Sequence, residues 1–317
     1  MNSPQPTLIH LYLTGGLGNQ LFQISAALSQ IRNSDDLILV DTKLGNPRST
    51  AGKPDLLHFE LLNQVVEFDS NPSVFMKKVA GFLLRMGIFP RGMERNYGIS
   101  WSLCRIGEFL LSLHFRKKIN LRLSSDVGFC EISSAHNPLL LGYFQSYRYL
   151  EQIASPNSLM TIIPRAMSSK LNLLIELAKN EQPIFVHYRF QDYLVEKNFG
   201  IPGIQYYREC LEKFHVGKRR IWVFSDDQQL AKQTMPQEYA SQTFFVDDEG
   251  LTPAEILHLF RYGTDYVIAN SSFSWWGASL TFSPTAKVMC PSPWFFGMPE
   301  PRDLISPSWT RVSAYYD

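Results

Sequence analysis

From residue 184 onward the chain alternates short apolar runs with helix-periodic stretches, and this rhythm limits the fold more than any other feature. Residues 184–186, 221–224, 243–246, 266–269 and 288–290 are nearly all apolar. Runs of that length and character belong to strands buried on both faces. One of the intervening helices announces its start with Thr252-Pro253-Ala254-Glu255, a capping box with proline at the first helical position. Strand–helix alternation of this kind predicts a parallel, doubly wound α/β sheet.

The first half opens in the same way. Residues 8–13 read as a buried strand that ends in Gly15-Gly16-Leu17-Gly18-Asn19-Gln20. Leu21, Ile24, Leu28 and Ile31 then share one helix face, and residues 37–40 form a second strand. The turn is not the dinucleotide fingerprint, because Leu21 stands where the third glycine would be. Its plain alternative is a tight strand–helix turn. Residues 45–70 read as irregular, residues 73–88 and 101–115 as basic amphipathic helices, and residues 139–143 as a further strand. A break near residues 154–165, followed by a bridging helix over 168–179, divides the chain into domains at 1–160 and 161–300. Residues 301–317 form a tail that packs back on them.

Composition excludes several classes of partner. Net charge is +1, with 45% hydrophobic and 19% charged residues, so the molecule as a whole is no match for nucleic acid. The four cysteines show no metal or redox spacing and read as reduced structural thiols. No run approaches the ~20 apolar residues of a membrane span, and no leader pattern opens the sequence, which gives a cytoplasmic expectation. Residues 75–122 hold ten Lys or Arg against only Glu94 and Glu108. Core-packing helices with a solvated basic face are the favoured account of that segment. A weak peripheral contact with the anionic inner face of a membrane is the alternative.

In doubly wound sheets ligands bind beyond the carboxyl ends of the strands, and the unusual residues fall there. After 184–186 come His187, Tyr188, Arg189, Phe190, Gln191, Asp192 and Tyr193. After 221–224 come Ser225, Asp226 and Asp227, and after 266–269 come Asn270, Ser271, Ser272 and Phe273. The last group empties into a helix, whose free N–H groups and dipole suit a phosphate, although an ordinary N-cap would look the same. Arg189 can anchor a phosphate bidentately, or it can pair with Asp192 or with an acid across the rim. His187 taken alone reads as a hydrogen-bonded structural histidine. Asp226 and Asp227 are adjacent rather than spaced as D-x-D, and neighbouring carboxylates at a strand end diverge, so no metal is expected.

Four stretches together resemble a known family. Gly15 to Gln23, Gly142-Tyr143-Phe144-Gln145-Ser146, Val223-Phe224-Ser225-Asp226-Asp227 and Asn270-Ser271-Ser272-Phe273-Ser274-Trp275-Trp276-Gly277 look like the signatures of glycosyltransferase family 11, the α-1,2-fucosyltransferases. They occur in order along nearly the whole chain. The resemblance implies a GT-B fold of two facing Rossmann-like domains with parallel sheets, the N-terminal one carrying extra helices. It also implies GDP-fucose as donor, no metal or other cofactor, inversion at the anomeric carbon and an acceptor ending in galactose. On that basis Arg189 holds the β-phosphate, with Ser271, Ser272 and Phe273 at the helix start. His187 and one of Asp226 or Asp227 reach the guanine or ribose, Ser225 and Asn270 belong to the same donor site, and Gly18, Asn19 and Gln20 approach the cleft from the first domain. Asp192 is the first candidate for a base on the acceptor hydroxyl and Glu196 the second. Where the family has H-x-R-R-G-D-Y, this chain has Phe190 and Gln191 in place of the second arginine and the glycine. The glycine's loss questions the loop geometry if that position needs positive φ. Restoring the arginine with Phe190→Arg is expected to leave the protein folded and able to bind GDP more tightly. Two other readings stay open: a GDP-sugar-binding protein without turnover, and a transferase for another GDP-deoxysugar or acceptor hydroxyl.

Overall fold

The computed structural model describes residues 6–43, 47–50, 52–68, 74, 78, 121–124, 128–132, 137–153, 163–196 and 198–316. The expected basic helices, and the charge excess on which a membrane contact rested, lie outside the described residues apart from positions 74, 78, 121 and 122. The chain divides into two compact units. One contains Met1–Ile162 with Pro301–Ile305, the other Ile163–Glu300 with Ser306–Asp317. Both are α/β, and each is built on a parallel sheet.

In the first unit, strand β1 (Leu8–Tyr12) leads into helix α1 (Leu17–Leu28) and returns as β2 (Leu37–Asp41). A two-stranded ribbon, β3 (Ser49–Thr50) and β4 (Lys53–Pro54), precedes β5 (Val65–Phe68). Then come β6 (Leu121–Ser124), β7 (Asn137–Leu140) and a short helix α2 (Arg148–Gln152). The strand order is β5-β2-β1-β7-β6, and every pairing is parallel. The order reverses between β1 and β7, so the loops after those two strands meet at the switch point. Strand β5 falls inside the stretch read as irregular. It is an edge strand, and its four residues offer too short a pattern to stand out.

The second unit begins with α3 (Ser169–Glu181), capped by the Ser168 hydroxyl, which accepts from Leu171 N at 3.1 Å. It continues through β8 (Ile184–Tyr188), α4 (Gln191–Val195), α5 (Ile204–Lys213), β9 (Ile221–Ser225), α6 (Gln228–Thr234) and β10 (Thr243–Phe245). Helix α7 (Pro253–Phe260), β11 (Asp265–Val267), α8 (Ser272–Ser279), β12 (Val288–Ser292) and β13 (Thr310–Ser313) complete it. The capping box read at Thr252 is formed in full. The strand order is β10-β9-β8-β11-β12-β13, again all parallel. Its reversal lies between β8 and β11.

The core of this unit packs Ile184, Val186 and Tyr188 of β8 against Tyr206, Tyr207 and Cys210 of α5. Strands β8 and β9 each run one or two residues past their apolar runs, because His187, Tyr188 and Ser225 stay buried at the strand ends. Strand β11 stops early. Ile268 still donates to Met289 O at 3.0 Å, but its own carbonyl turns to accept the Tyr206 hydroxyl at 2.6 Å. Residues 310–313, read as part of a tail, pair as the edge strand β13. Only Val312 of the four is buried, so no apolar run marked it. Gly277 is required by packing, since a Cβ there would land on the Phe260 ring where α8 crosses α7.

Candidate active site

The switch point of the second unit gathers the loops after β8, β9 and β11. Arg189 leaves β8 with its guanidinium between two carboxylates. Nη2 lies 2.7 Å from Asp192 Oδ1, and Nη1 lies 3.0 Å from Asp226 Oδ2. The contact with Asp226 Oδ2 lacks hydrogen-bond geometry. Asp226 Oδ1 accepts from Phe190 N at 2.9 Å, and its backbone carbonyl accepts Gln191 Nε2 at 2.7 Å. Burial pushes the Asp226 carboxyl above the usual carboxylate range, and the Arg189 charge only partly offsets that.

His187 sits in β8, 5% exposed, with its ring against Phe273 (5.9 Å between centroids, 29° between planes). Its Nδ1 is buried without a hydrogen-bond partner. Burial, reinforced by the neighbouring Arg189 charge, lowers its pKa to about 3, so the imidazole is neutral at ordinary pH. A neutral ring can accept or donate one hydrogen bond to a ligand but contributes no charge.

Helix α8 starts at Ser272 after the N-cap Ser271, whose side chain makes no capping bond. The first helical hydrogen bond runs from Trp275 N to Ser271 O at 3.0 Å. The N–H groups of Ser272, Phe273 and Ser274 therefore precede the first intrahelical donor, at the positive end of the helix dipole. Ser274 is buried and its hydroxyl turns back to Ser271 O at 3.2 Å. Serines 271 and 272 remain as the side chains at the helix mouth.

Other expected ligands carry structural duties. Asp227 caps α6, accepting from Leu230 N at 2.9 Å, and Ser225 Oγ donates to Asp227 O at 2.9 Å. Asn270 Nδ2 donates to Phe199 O (2.8 Å) and Gly200 O (3.0 Å), so its amide ties the α8 approach to the chain beyond α4. Its Oδ1 is buried and unpartnered. Glu196 follows α4, exposed, five residues or more from any strand end in the site. Residue 190 departs from what was expected of it. Phe190 is 3% exposed and its ring stacks on Tyr188 (5.7 Å, 13°), so an arginine there would bring a charge into the core rather than restore a ligand. Gln191 opens α4 in ordinary helical conformation and is not among the positive-φ residues. The glycine's replacement leaves the loop unstrained.

Tyrosines brace the site, and two of them, Tyr206 and Tyr207, carried no sequence signal. Tyr193 OH donates to Asn270 O (2.7 Å), Tyr206 OH to Ile268 O (2.6 Å) and Tyr207 OH to His187 O (3.2 Å). On α5 the last two read simply as core positions. Among the described residues no group of three or more His, Cys, Asp or Glu side chains is arranged to hold a metal ion.

The switch point of the first unit is built differently. Gly15 takes φ +72°, and a Cβ there would come within 2.7 Å of Asn19 Nδ2. Gly18 is buried in the first turn of α1. Gln20 donates to Gly15 O (2.8 Å) and Arg48 O (3.0 Å) and accepts from Leu56 N (2.8 Å). Gln23 joins the two switch-point loops, accepting from Thr14 N (3.0 Å) and donating to Gly142 O (2.8 Å). Gln145 donates to Asn19 Oδ1 at 2.8 Å.

The model of the family described as glycosyl transferase family 11 matches residues 108–310, more than half of the chain. This chain belongs to glycosyl transferase family 11. It is 26% identical over 294 residues to an α-1,2-colitosyltransferase of Escherichia coli, covering 89% of this chain and 91% of that one. It is 24% identical to the O-antigen biosynthesis glycosyltransferase WbnK of Escherichia coli, covering 95% and 99%. Among solved structures, the fucosyltransferase NodZ from Bradyrhizobium aligns with 13% identity and a TM-score of 0.48, covering 87% of this chain and 94% of that chain. The family 11 chain is thus a glycosyltransferase. No helix among its described residues is long and apolar enough to cross a membrane.

Proposed function

We propose that this family 11 glycosyltransferase moves L-fucose from GDP-β-L-fucose to the 2-hydroxyl of a terminal galactose, inverting the anomeric carbon and using no metal. The observation that carries the reading is the convergence at the second unit's switch point. The guanidinium of Arg189, from the end of β8, and the open N-terminus of α8, beyond β11, belong to neighbouring strands. Departure of GDP builds negative charge on its β-phosphate. A forked cation and preorganised N–H groups are the protein's means of stabilising that charge where no ion does so. Ser271, Ser272 and Phe273 serve the donor at the helix mouth, and His187 serves it as a neutral hydrogen-bonding group. Asp192 is the first candidate to take the acceptor's proton, with Glu196 second.

A second reading has a specific observation behind it, the similarity to a protein named as a colitosyltransferase. It keeps the site and the displacement but changes the deoxysugar. The test is incubation with GDP-fucose and a panel of galactosides in excess EDTA, following GDP release and assigning the product by NMR. An α-1,2-fucosylated product formed at an undiminished rate supports the reading. GDP release only with another GDP-deoxysugar replaces the donor. Activity lost in EDTA and restored by magnesium or manganese removes the metal-free mechanism. Tight GDP-fucose binding without turnover on any acceptor makes the chain a binding protein.

A further inference from the structure

Arg189 holds two carboxylates, and they differ in what keeps them there. Asp226 stands at the end of β9 with its side chain 14% exposed. One of its oxygens accepts from Phe190 N, and its backbone carbonyl is held by Gln191 Nε2. Asp192 is 45% exposed and lies three residues from Arg189 on α4, a five-residue helix with no buried residue. Among the described residues its carboxylate has no partner besides the guanidinium. Three anions around one cation repel, so a diphosphate reaching Arg189 has to displace one of the two carboxylates. Removing Asp226 would leave a half-buried charge and a backbone N–H unpaired, whereas an exposed, locally held ion pair is lost at little cost.

We propose that Asp226 is the positioning residue that fixes Arg189, and that Asp192 is a stand-in ligand on the same guanidinium, exchanged for the donor's diphosphate. The inference rests on the reading of Arg189 as the phosphate ligand given above. Gln191, anchored to Asp226, holds the start of α4 while the rest of that turn moves. Exchange releases the Asp192 carboxylate only once the donor is seated, so the group that would accept the acceptor's proton is freed by donor binding. The site then works in order, donor first.

Calorimetric titration with GDP at low salt tests this on the full chain, with melting curves to check folding. Asp192→Asn removes the competitor and is expected to tighten GDP about fivefold, which corresponds to about 1 kcal/mol. Glu196→Gln, which removes an exposed charge at the end of the same helix with no ion pair among the described residues, should change the affinity far less. Asp226→Asn keeps an acceptor for Phe190 N–H but loses the charge. It is expected to weaken GDP and lower kcat while the protein stays folded. Equal tightening by Asp192→Asn and Glu196→Gln would reduce the effect to general repulsion and overturn the exchange. Unchanged or weaker binding in Asp192→Asn overturns it as well. Wild-type GDP affinity in a folded Asp226→Asn removes the positioning role. Arg189→Ala separates the two levels: if it binds GDP like wild type, the phosphate assignment itself has failed. If it loses GDP while Asp192→Asn shows no gain, only the exchange has.

Discussion

The two switch points share a topology but use their polar side chains in opposite ways. Each lies between the first strand of its unit and a strand formed later, and each opens onto a helix that lacks a side-chain cap, its N-cap being Gly16 in the first unit and Ser271 in the second. In the first unit the polar side chains turn inward. Gln20, Gln23 and the Asn19–Gln145 pair satisfy backbone groups or each other, and the loops are stitched into one shape. In the second, a guanidinium and a neutral imidazole stand at the strand ends, while the stitching is shared by Asn270, Asp226 and Asp227 with the tyrosines behind them. Motif residues are therefore of two kinds: some are left at the strand ends and the helix mouth, and others hold the backbone that presents them.

The largest expected effect sharpens that contrast. Arg189→Ala should lower kcat by roughly 10² to 10³, about 3–4 kcal/mol, because a preorganised donor to developing charge is lost. Arg189→Lys should recover part of it, since an ammonium cannot reproduce the fork. A folded Arg189→Ala enzyme with wild-type kcat, saturated with donor, would make Arg189 a purely structural partner of Asp192 and Asp226. The second unit would then resemble the first.

Next comes Phe190→Arg. The ring is stacked on Tyr188 in the core, so the substitution should lower stability by about 3 kcal/mol rather than add a ligand. Thermal melting decides it. An unchanged Tm with tighter GDP binding would mean that the side chain escapes to the site.

In the first unit, Gln20→Ala should leave Gly15 O, Arg48 O and Leu56 N without their partner. A loss of about 2 kcal/mol is expected, read from the urea midpoint. If stability holds and GDP affinity falls instead, Gln20 contacts the ligand and the contrast between the units breaks.

The α/β class and both parallel sheets were legible in the sequence, because buried parallel strands are apolar runs and strand ends are where polar residues begin. Edge strands β5, β6 and β13 were not, since β5 and β6 are only four residues long and β13 buries only Val312. The stretch from Asn270 to Gly277 was legible as a strand end emptying into a helix, but the duties within it were not. Asn270 ties loops and Gly277 admits the Phe260 ring, and neither role can be read without the partner that lies far off in the chain. The same holds for Gln191. Its sequence raised a question of backbone φ, which only its helical conformation answers. Tyr206 and Tyr207 look like any buried aromatic until their hydroxyls are placed.

The smallest effect tests the contrast through two histidines in corresponding strands. His10 lies in β1 and His187 in β8, and burial lowers the pKa of each. The neighbours differ in sign. Asp41 partly restores the charged form of His10, whereas Arg189 further disfavours that of His187, which falls to about 3. A histidine whose folded pKa lies below its unfolded value of ~6.5 binds more protons when unfolded, so its stability contribution is complete above that pH. It is lost as pH falls toward the folded value, by up to about 1.4 kcal/mol per pH unit. Acidification from pH 7 to 5 should therefore weaken the second unit more than the first. Hydrogen exchange followed by mass spectrometry reads each strand separately, and protection of the β8 peptide should fall more than that of the β1 peptide. His187→Phe, which fills the space without a titrating group, should remove part of the difference, the rest coming from His258 of α7, whose pKa burial and the Arg261 charge lower to about 4. Equal losses in both peptides, or a difference that His187→Phe leaves undiminished, would place the acid sensitivity elsewhere in the fold.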